Sequence, residues 1–122
     1  MYKLSELESW KSARQLRIAI SDLVKSFPAD EKFRLKDQIV RSSRSIPANI
    51  AEGFGRFHYQ ENIQFCRIAR GSLYETLEHL ICAKDEGYIT IEQFQELNDQ
   101  ILECLKILNG YVQYLKKAKK ST

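Results

Sequence analysis

The sequence predicts an all-α protein, an antiparallel up-down-up-down bundle of four helices, and three observations carry that prediction. Apolar residues recur every three or four positions in four separate stretches, which is the spacing of one face of a helix. Stop and start signals punctuate the stretches: Phe27-Pro28, then Gly53-Phe54-Gly55, then Gly87 followed by Thr90. The composition, 43% apolar and 29% charged with only 5 Gly and 2 Pro in 122 residues, suits a compact helical domain and not a disordered chain. No strand alternation and no internal repeat competes. Residues 1–122 read as a single domain, closing in a basic, frayed tail over residues 116–122.

Helix one is expected to begin near Ser5, because Ser5 and Glu8 have the spacing of a capping box. Its stripe runs through Trp10, Ala13, Arg17, Ile20, Leu23 or Val24, and Phe27. Arg17 interrupts it, with its stem packed and its head in water. Phe27 precedes Pro28 and so is pushed out of the α region, which ends the helix.

Helix two is expected from about Asp30 to about Phe54, with Ile39, Ser43, Ile46, Ile50 and Phe54 on its buried side. Pro47 lies inside it. A proline removes an amide donor and clashes one turn back, kinking or ending an ordinary helix at a cost of about 3 kcal/mol. The glycines after Glu52 offer a left-handed C-cap.

Helix three follows Phe57-His58-Tyr59 and runs to about Glu86. Asn62, Phe65, Ala69, Ser72, Thr76, Leu80 and Ala83 form one row; Ile63, Cys66, Leu73, Leu77 and Ile81 form a second. Two rows fit contact with more than one neighbour. Gly71, mid-helix, costs about 1 kcal/mol relative to Ala and suggests a close helix crossing. Gly87 then caps the helix, and Thr90 with Gln93 forms a capping box for helix four. There Phe94, Leu97, Ile101, Leu105, Leu108, Val112 and Leu115 step by 3, 4, 4, 3, 4 and 3, a sustained seam.

The same residues narrow the chemistry. Cys66, Cys82 and Cys104 are far apart and set among apolar residues, the pattern of buried thiols in a reducing cytoplasm and not of a zinc site. His58 and His79 lack metal-ligand spacing, and Asp85-Glu86 sits at a helix end as a solvated pair. No phosphate-binding glycine loop, nucleophile constellation or cofactor motif is present, so the chain reads as non-enzymatic, without cofactor or metal. No apolar run has the length of a signal peptide core or a membrane span, and a cytoplasmic location is the expectation.

Two polar sets remain. Arg41, Arg44, Asn49 and Glu52 on helix two are expected to face Arg70, Ser72, Glu75 and Glu78 on helix three. One reading is an internal network, Arg paired with Glu and Asn49 bonding backbone freed by Pro47, since buried charges must be paired. The other is a groove or channel in which the arginines hold phosphates. The second set follows the charge distribution: net charge is +3, and the basic excess lies in helices one and two and in the terminal lysines. Lys11, Arg14 and Arg17, together with Arg41, Arg44 and Arg56 and with Lys116, Lys117, Lys119 and Lys120, are the candidate phosphate contacts. Tyr59, Tyr88, Tyr111 and Tyr114 could stack bases or serve core and interface packing.

Two motifs, SIPANIAEGFGR from Ser45 to Arg56 and ARGSLYETLEHL from Ala69 to Leu80, resemble the four-helix bundle proteins encoded in bacterial 23S rRNA intervening sequences, the S23-type family. The likeness extends over nearly the whole chain. It implies a homopentameric barrel with a central channel and a role with nucleic acid. A more distant resemblance is to the accessory protein of diversity-generating retroelements, which works with a reverse transcriptase on RNA and cDNA. That likeness implies the alternative role of an interaction module docking a nucleic-acid enzyme, although this sequence lacks the relative's marked basic excess.

Overall fold

A computed structural model describes residues 3–121. Four α-helices make up most of it: α1 spans Glu8–Leu23, α2 Leu35–Phe54, α3 Tyr59–Asp85 and α4 Ile91–Ser121. No strand occurs among the described residues. Each helix packs on its neighbours in the chain, and α1 closes against α4. The α2–α3 interface is the most extensive.

The helix ends follow local chemistry. Lys3 N–H donates to the Glu6 carboxylate at 3.0 Å, closing a 3-10 turn over Leu4–Glu6. Leu7 is extended (φ −77°, ψ 115°), so α1 starts at Glu8 and not near Ser5. The extended residue lets Leu7 enter the core, where it is 5% exposed. After Pro28, Ala29–Glu31 form another 3-10 turn, and α2 starts only at Leu35. There the Glu31 side chain accepts the Leu35 amide at 3.3 Å, satisfying one of the N–H groups that a helix start leaves open.

The other boundaries fall as the sequence predicts. Gly87 takes the left-handed conformation at φ +77°, and Tyr88 N–H reaches back to the Ala83 carbonyl at 2.9 Å, a Schellman closure. Thr90 and Gln93 exchange both capping-box bonds, at 2.8 and 3.0 Å. Gly55, by contrast, stays right-handed at φ −77°. Its neighbour Gly53 lies inside α2, at the tightest approach to α3. A Cβ built at Gly53 would stand 2.7 Å from Asn62 Oδ1, 2.9 Å from Phe65 Cβ and 3.0 Å from the Asn62 carbonyl oxygen. At Gly71 a Cβ would meet nothing within 4 Å, so the crossing expected there occurs at Gly53 instead.

The core is the sum of the four stripes. Leu16, Ile20, Ile39, Ile46, Ile50, Ile63, Leu73, Leu80, Ile101 and Leu108 are fully buried or nearly so. Pro47 is also buried, and α2 continues through it without a break.

The expected Arg–Glu lock between α2 and α3 is not the arrangement found. Arg41, Arg44, Glu52, Arg70, Glu75 and Glu78 all lie on exposed surface. Arg41 pairs with Asp37 one turn back, Glu75 with His79, and Arg70 stacks on Tyr74 of its own helix. Only Asn49 and Ser72 belong to the buried seam, which is built of hydroxyls. Asn49 donates to Ser45 Oγ at 2.8 Å, Ser45 lies 2.8 Å from Ser72, and Ser72 donates to the Ile68 carbonyl at 3.2 Å. Beside this chain, Ser42 Oγ is 2.9 Å from Thr76 Oγ1, and Thr76 donates to the Ser72 carbonyl at 2.8 Å. Asn49 bonds the Ser45 carbonyl, not the Ser43 carbonyl that Pro47 frees. Neutral hydroxyls satisfy one another across a helix interface with far less desolvation than charges would suffer, which is why the charged side chains stay outside.

Candidate nucleic-acid interface

The start of α3 lies beside the end of α4, and two surface features gather there. Two side-chain bonds make the junction: Asn62 Nδ2 donates to the Tyr111 hydroxyl at 2.9 Å, and Lys119 Nζ donates to Gln60 Oε1 at 2.6 Å.

The first feature is a groove of about 460 Å³ between the two helices. Gln60, Ile63 and Arg67 line it from α3; Gln113, Lys116, Lys117, Lys119 and Lys120 line it from α4. The spacing explains the convergence: Gln113, Lys116, Lys117 and Lys120 fall at i, i+3, i+4 and i+7 on one face of α4. Five cations line this groove and no carboxylate does. The four lysines are therefore part of a helix that continues through Ser121, where the sequence suggests a frayed tail.

The second feature is an aromatic cleft of about 470 Å³, also at the start of α3 and the end of α4. Its walls are Phe54, Arg56, Phe57, His58, Tyr59, Asn62, Tyr111 and Tyr114, over the buried Leu7 and Leu115. Phe57 is 93% exposed and Tyr114 62%. Tyr111 and Tyr114 stack nearly parallel, with ring centres 6.4 Å apart and planes at 11°, while Phe57 and His58 meet edge to face at 4.9 Å. Arg56 is engaged at the rim. Its guanidinium pairs with Glu52 at 3.2 Å and Glu61 at 3.5 Å and lies 4.9 Å from the centre of the Phe65 ring.

The structure joins some of the sequence-predicted basic residues and leaves others apart. Lys116, Lys117, Lys119 and Lys120 form one wall, and Arg56 borders the neighbouring cleft. Lys11, Arg14 and Arg17 stay on α1, where Lys11 pairs with Glu8 at 3.1 Å and Arg17 is half-buried. Arg41 and Arg44 stay on the exposed side of α2. Arg67 and Phe57 were not singled out by sequence reasoning, and His58 was weighed only as a metal ligand. Their signal was faint: Arg67 is one helical turn beyond Ile63, but only the packing of α3 on α4 turns that face toward the lysines. Of the four tyrosines, Tyr59, Tyr111 and Tyr114 meet in the cleft. Tyr88 lies elsewhere, bonded to Glu31 at 2.6 Å and packed on Phe27.

No group of three His, Cys, Asp or Glu side chains able to hold a metal occurs among the described residues. Burial pushes the Cys66 thiol up to about 11 and raises Cys104 as well, which makes both poor nucleophiles. No helix among the described residues is long and apolar enough to cross a membrane.

Known proteins give this arrangement a family. The profile of the 23S rRNA-intervening sequence protein family matches residues 5–110. Among curated proteins nothing matches. Among solved structures, the chain is similar to a protein with unknown function from the S23 ribosomal protein family of Bacteroides thetaiotaomicron VPI-5482, whose crystal structure was determined at 1.70 Å. The two are 28% identical with a TM-score of 0.79, over 85% of this chain and 97% of that one. With four helices in place and the match running from the lead into α1 to well inside α4, the chain belongs to the 23S rRNA-intervening sequence protein family.

Proposed function

We propose that this protein is a non-enzymatic, oligomeric helical bundle that binds structured RNA or DNA through phosphate contacts. The observation that carries this reading is the α3–α4 groove, where Arg67 and four lysines converge with no carboxylate among the lining residues. Closely spaced cations displace counterions condensed on a polynucleotide, which favours binding at low salt.

The protomer reads as up-down-up-down. Ser42 with Thr76, Ser45 with Ser72 and Gly53 with Asn62 pair in opposite order along α2 and α3, which supports antiparallel packing. The assembly reads as a homopentamer, the state that the family likeness implies. Ile68 and Tyr74, each about half exposed, flank the open surface at Gly71 and offer a helix face to another copy. Five copies of a +3 chain would carry roughly +15, a field able to steer a polyanion.

Titrating a labelled 23S rRNA fragment between 50 and 200 mM salt, both conditions set on the scale at which phosphate contacts respond, tests the reading. Affinity is expected to fall steeply, and replacing Lys116, Lys117, Lys119 and Lys120 with Ala should lower both the affinity and its salt slope. Absent or salt-insensitive binding would overturn it in favour of a protein-interaction module that docks a nucleic-acid enzyme such as a reverse transcriptase. Light scattering tests the assembly, for which a mass near a single 14.3 kDa chain rules out the pentamer.

A further inference from the structure

We propose that the aromatic cleft receives unpaired bases of a single-stranded polynucleotide whose phosphates reach the basic groove at the same end of α3 and α4. The proposal rests on the nucleic-acid reading above and specifies the kind of strand.

The rings present what stacking needs. Phe57 at 93% exposure, Tyr114 at 62% and Tyr59 at 39% hold large apolar faces in water at the same end of the bundle. Rings of this size normally dominate core packing, and here three stand around one opening. The cleft, about 470 Å³, is within the range of about 300–1,000 Å³ usual for small-molecule and cofactor sites, room enough for a base.

The platform is also held in place. Tyr114 stacks on Tyr111, Tyr111 receives the Asn62 amide, and Asn62 is wedged against Gly53 at the tight α2–α3 crossing. Because the Asn62 amide is turned to Tyr111, the cleft offers ring faces more than base-edge contacts. Sequence tolerance follows, since every base has a π-face.

Charge completes the match. The cleft and the groove draw on the same turns of the same two helices, Tyr59 to Arg67 and Tyr111 to Lys120. The two share no lining residue and open on different faces of α4, so a strand whose bases enter the cleft reaches those cations by passing round the end of that helix. In a duplex the base faces are stacked inside, so only an unpaired or extruded base can reach the rings. An apolar peptide would fill the cleft but would leave the cationic groove without a partner.

Fluorescence anisotropy with the full chain tests this, using a labelled 12-nucleotide oligo-U RNA, an oligo-dU DNA of the same length and a duplex of matched length. Both single strands are expected to bind more tightly than the duplex, and the tighter of the two identifies the preferred sugar. Phe57→Ala and Tyr114→Ala should each weaken single-strand binding by about 5- to 150-fold, the effect of losing one stacked base, with duplex binding unmoved. Tyr114→Phe should retain affinity, because the ring and not the hydroxyl stacks. Both side chains are exposed, so circular dichroism of the variants should match the parent.

Unchanged single-strand affinity in Phe57→Ala and Tyr114→Ala would overturn the stacking proposal while leaving groove binding intact. No binding of any oligonucleotide would overturn both. A drop in assembled mass for these variants would show that a second copy covers the cleft, which also overturns the proposal.

Discussion

Asn62 donates its side-chain N–H to the Tyr111 hydroxyl over 2.9 Å, joining the first turn of α3 to the latter part of α4. Asn62 is 7% exposed and Tyr111 is half-buried, so the bond is largely shielded from water on the Asn62 side. Removing one partner of a buried hydrogen bond leaves the other unsatisfied, at a cost of about 1–3 kcal/mol. Tyr111→Phe is therefore expected to lower the urea midpoint with an unchanged denaturant slope. A midpoint equal to the parent's would show that water replaces the hydroxyl.

Gly53 and Gly71 make opposite predictions. At Gly53 a Cβ would come within 3.0 Å of the Asn62 backbone, which cannot move aside cheaply. Gly53→Ala should destabilise by about 1–3 kcal/mol, the usual effect of overpacking. Gly71→Ala adds a methyl group in open space within a helix and should stabilise by about 0.5–1 kcal/mol. Paired thermal melts check both signs.

The hydroxyl seam invites a double-mutant cycle. Thr76 donates to the Ser72 carbonyl, so its Oγ1 stands as an acceptor 2.9 Å from Ser42 Oγ, whose single proton it shares with the Ile39 carbonyl. Thr76→Val removes that acceptor at full burial and is expected to cost about 1 kcal/mol. Ser42→Ala with Thr76→Val removes both partners together and should cost less than the sum of the single changes.

Stability should depend on pH at both extremes through Glu31 and Tyr88, 2.6 Å apart. The Tyr88 hydroxyl, and next the Leu35 amide, hold the Glu31 carboxyl below its ordinary value of 4.5. A lowered folded pKa contributes stability above the ordinary value, and that contribution is lost as pH falls through the lowered one. The same bond, followed by burial, pushes Tyr88 up to about 12 from 10.0. A raised folded pKa contributes stability below pH 10.0 that is lost as pH rises toward about 12. In Tyr88→Phe the alkaline loss over that window should disappear and the acid loss should shrink, as read by melting temperature against pH.

Much of the fold was legible from local patterns. Four stripes, Gly87 and the Thr90–Gln93 box follow from periodicity and capping, which act over one or two turns and need no knowledge of neighbours. The late starts of α1 and α2 were less legible, because they depend on Leu7 entering the core and on Glu31 capping Leu35. Gly71 and Gly53 were interchanged as crossing points for the same reason: a glycine's function in a helix depends on what lies across from it.

The sequence by itself determined the helices, the family likeness and the basic reservoir at the end of α4. Only the tertiary structure decided how the polar residues are used. Charge, hydrogen bonding and desolvation are settled between segments far apart in the chain, so the α2–α3 seam became one of serines and threonine with the arginines turned outward. The same packing brought Arg67 beside Lys116–Lys120 and gathered Phe57, Tyr59 and Tyr114 around one cleft, juxtapositions that spacing along one helix does not encode.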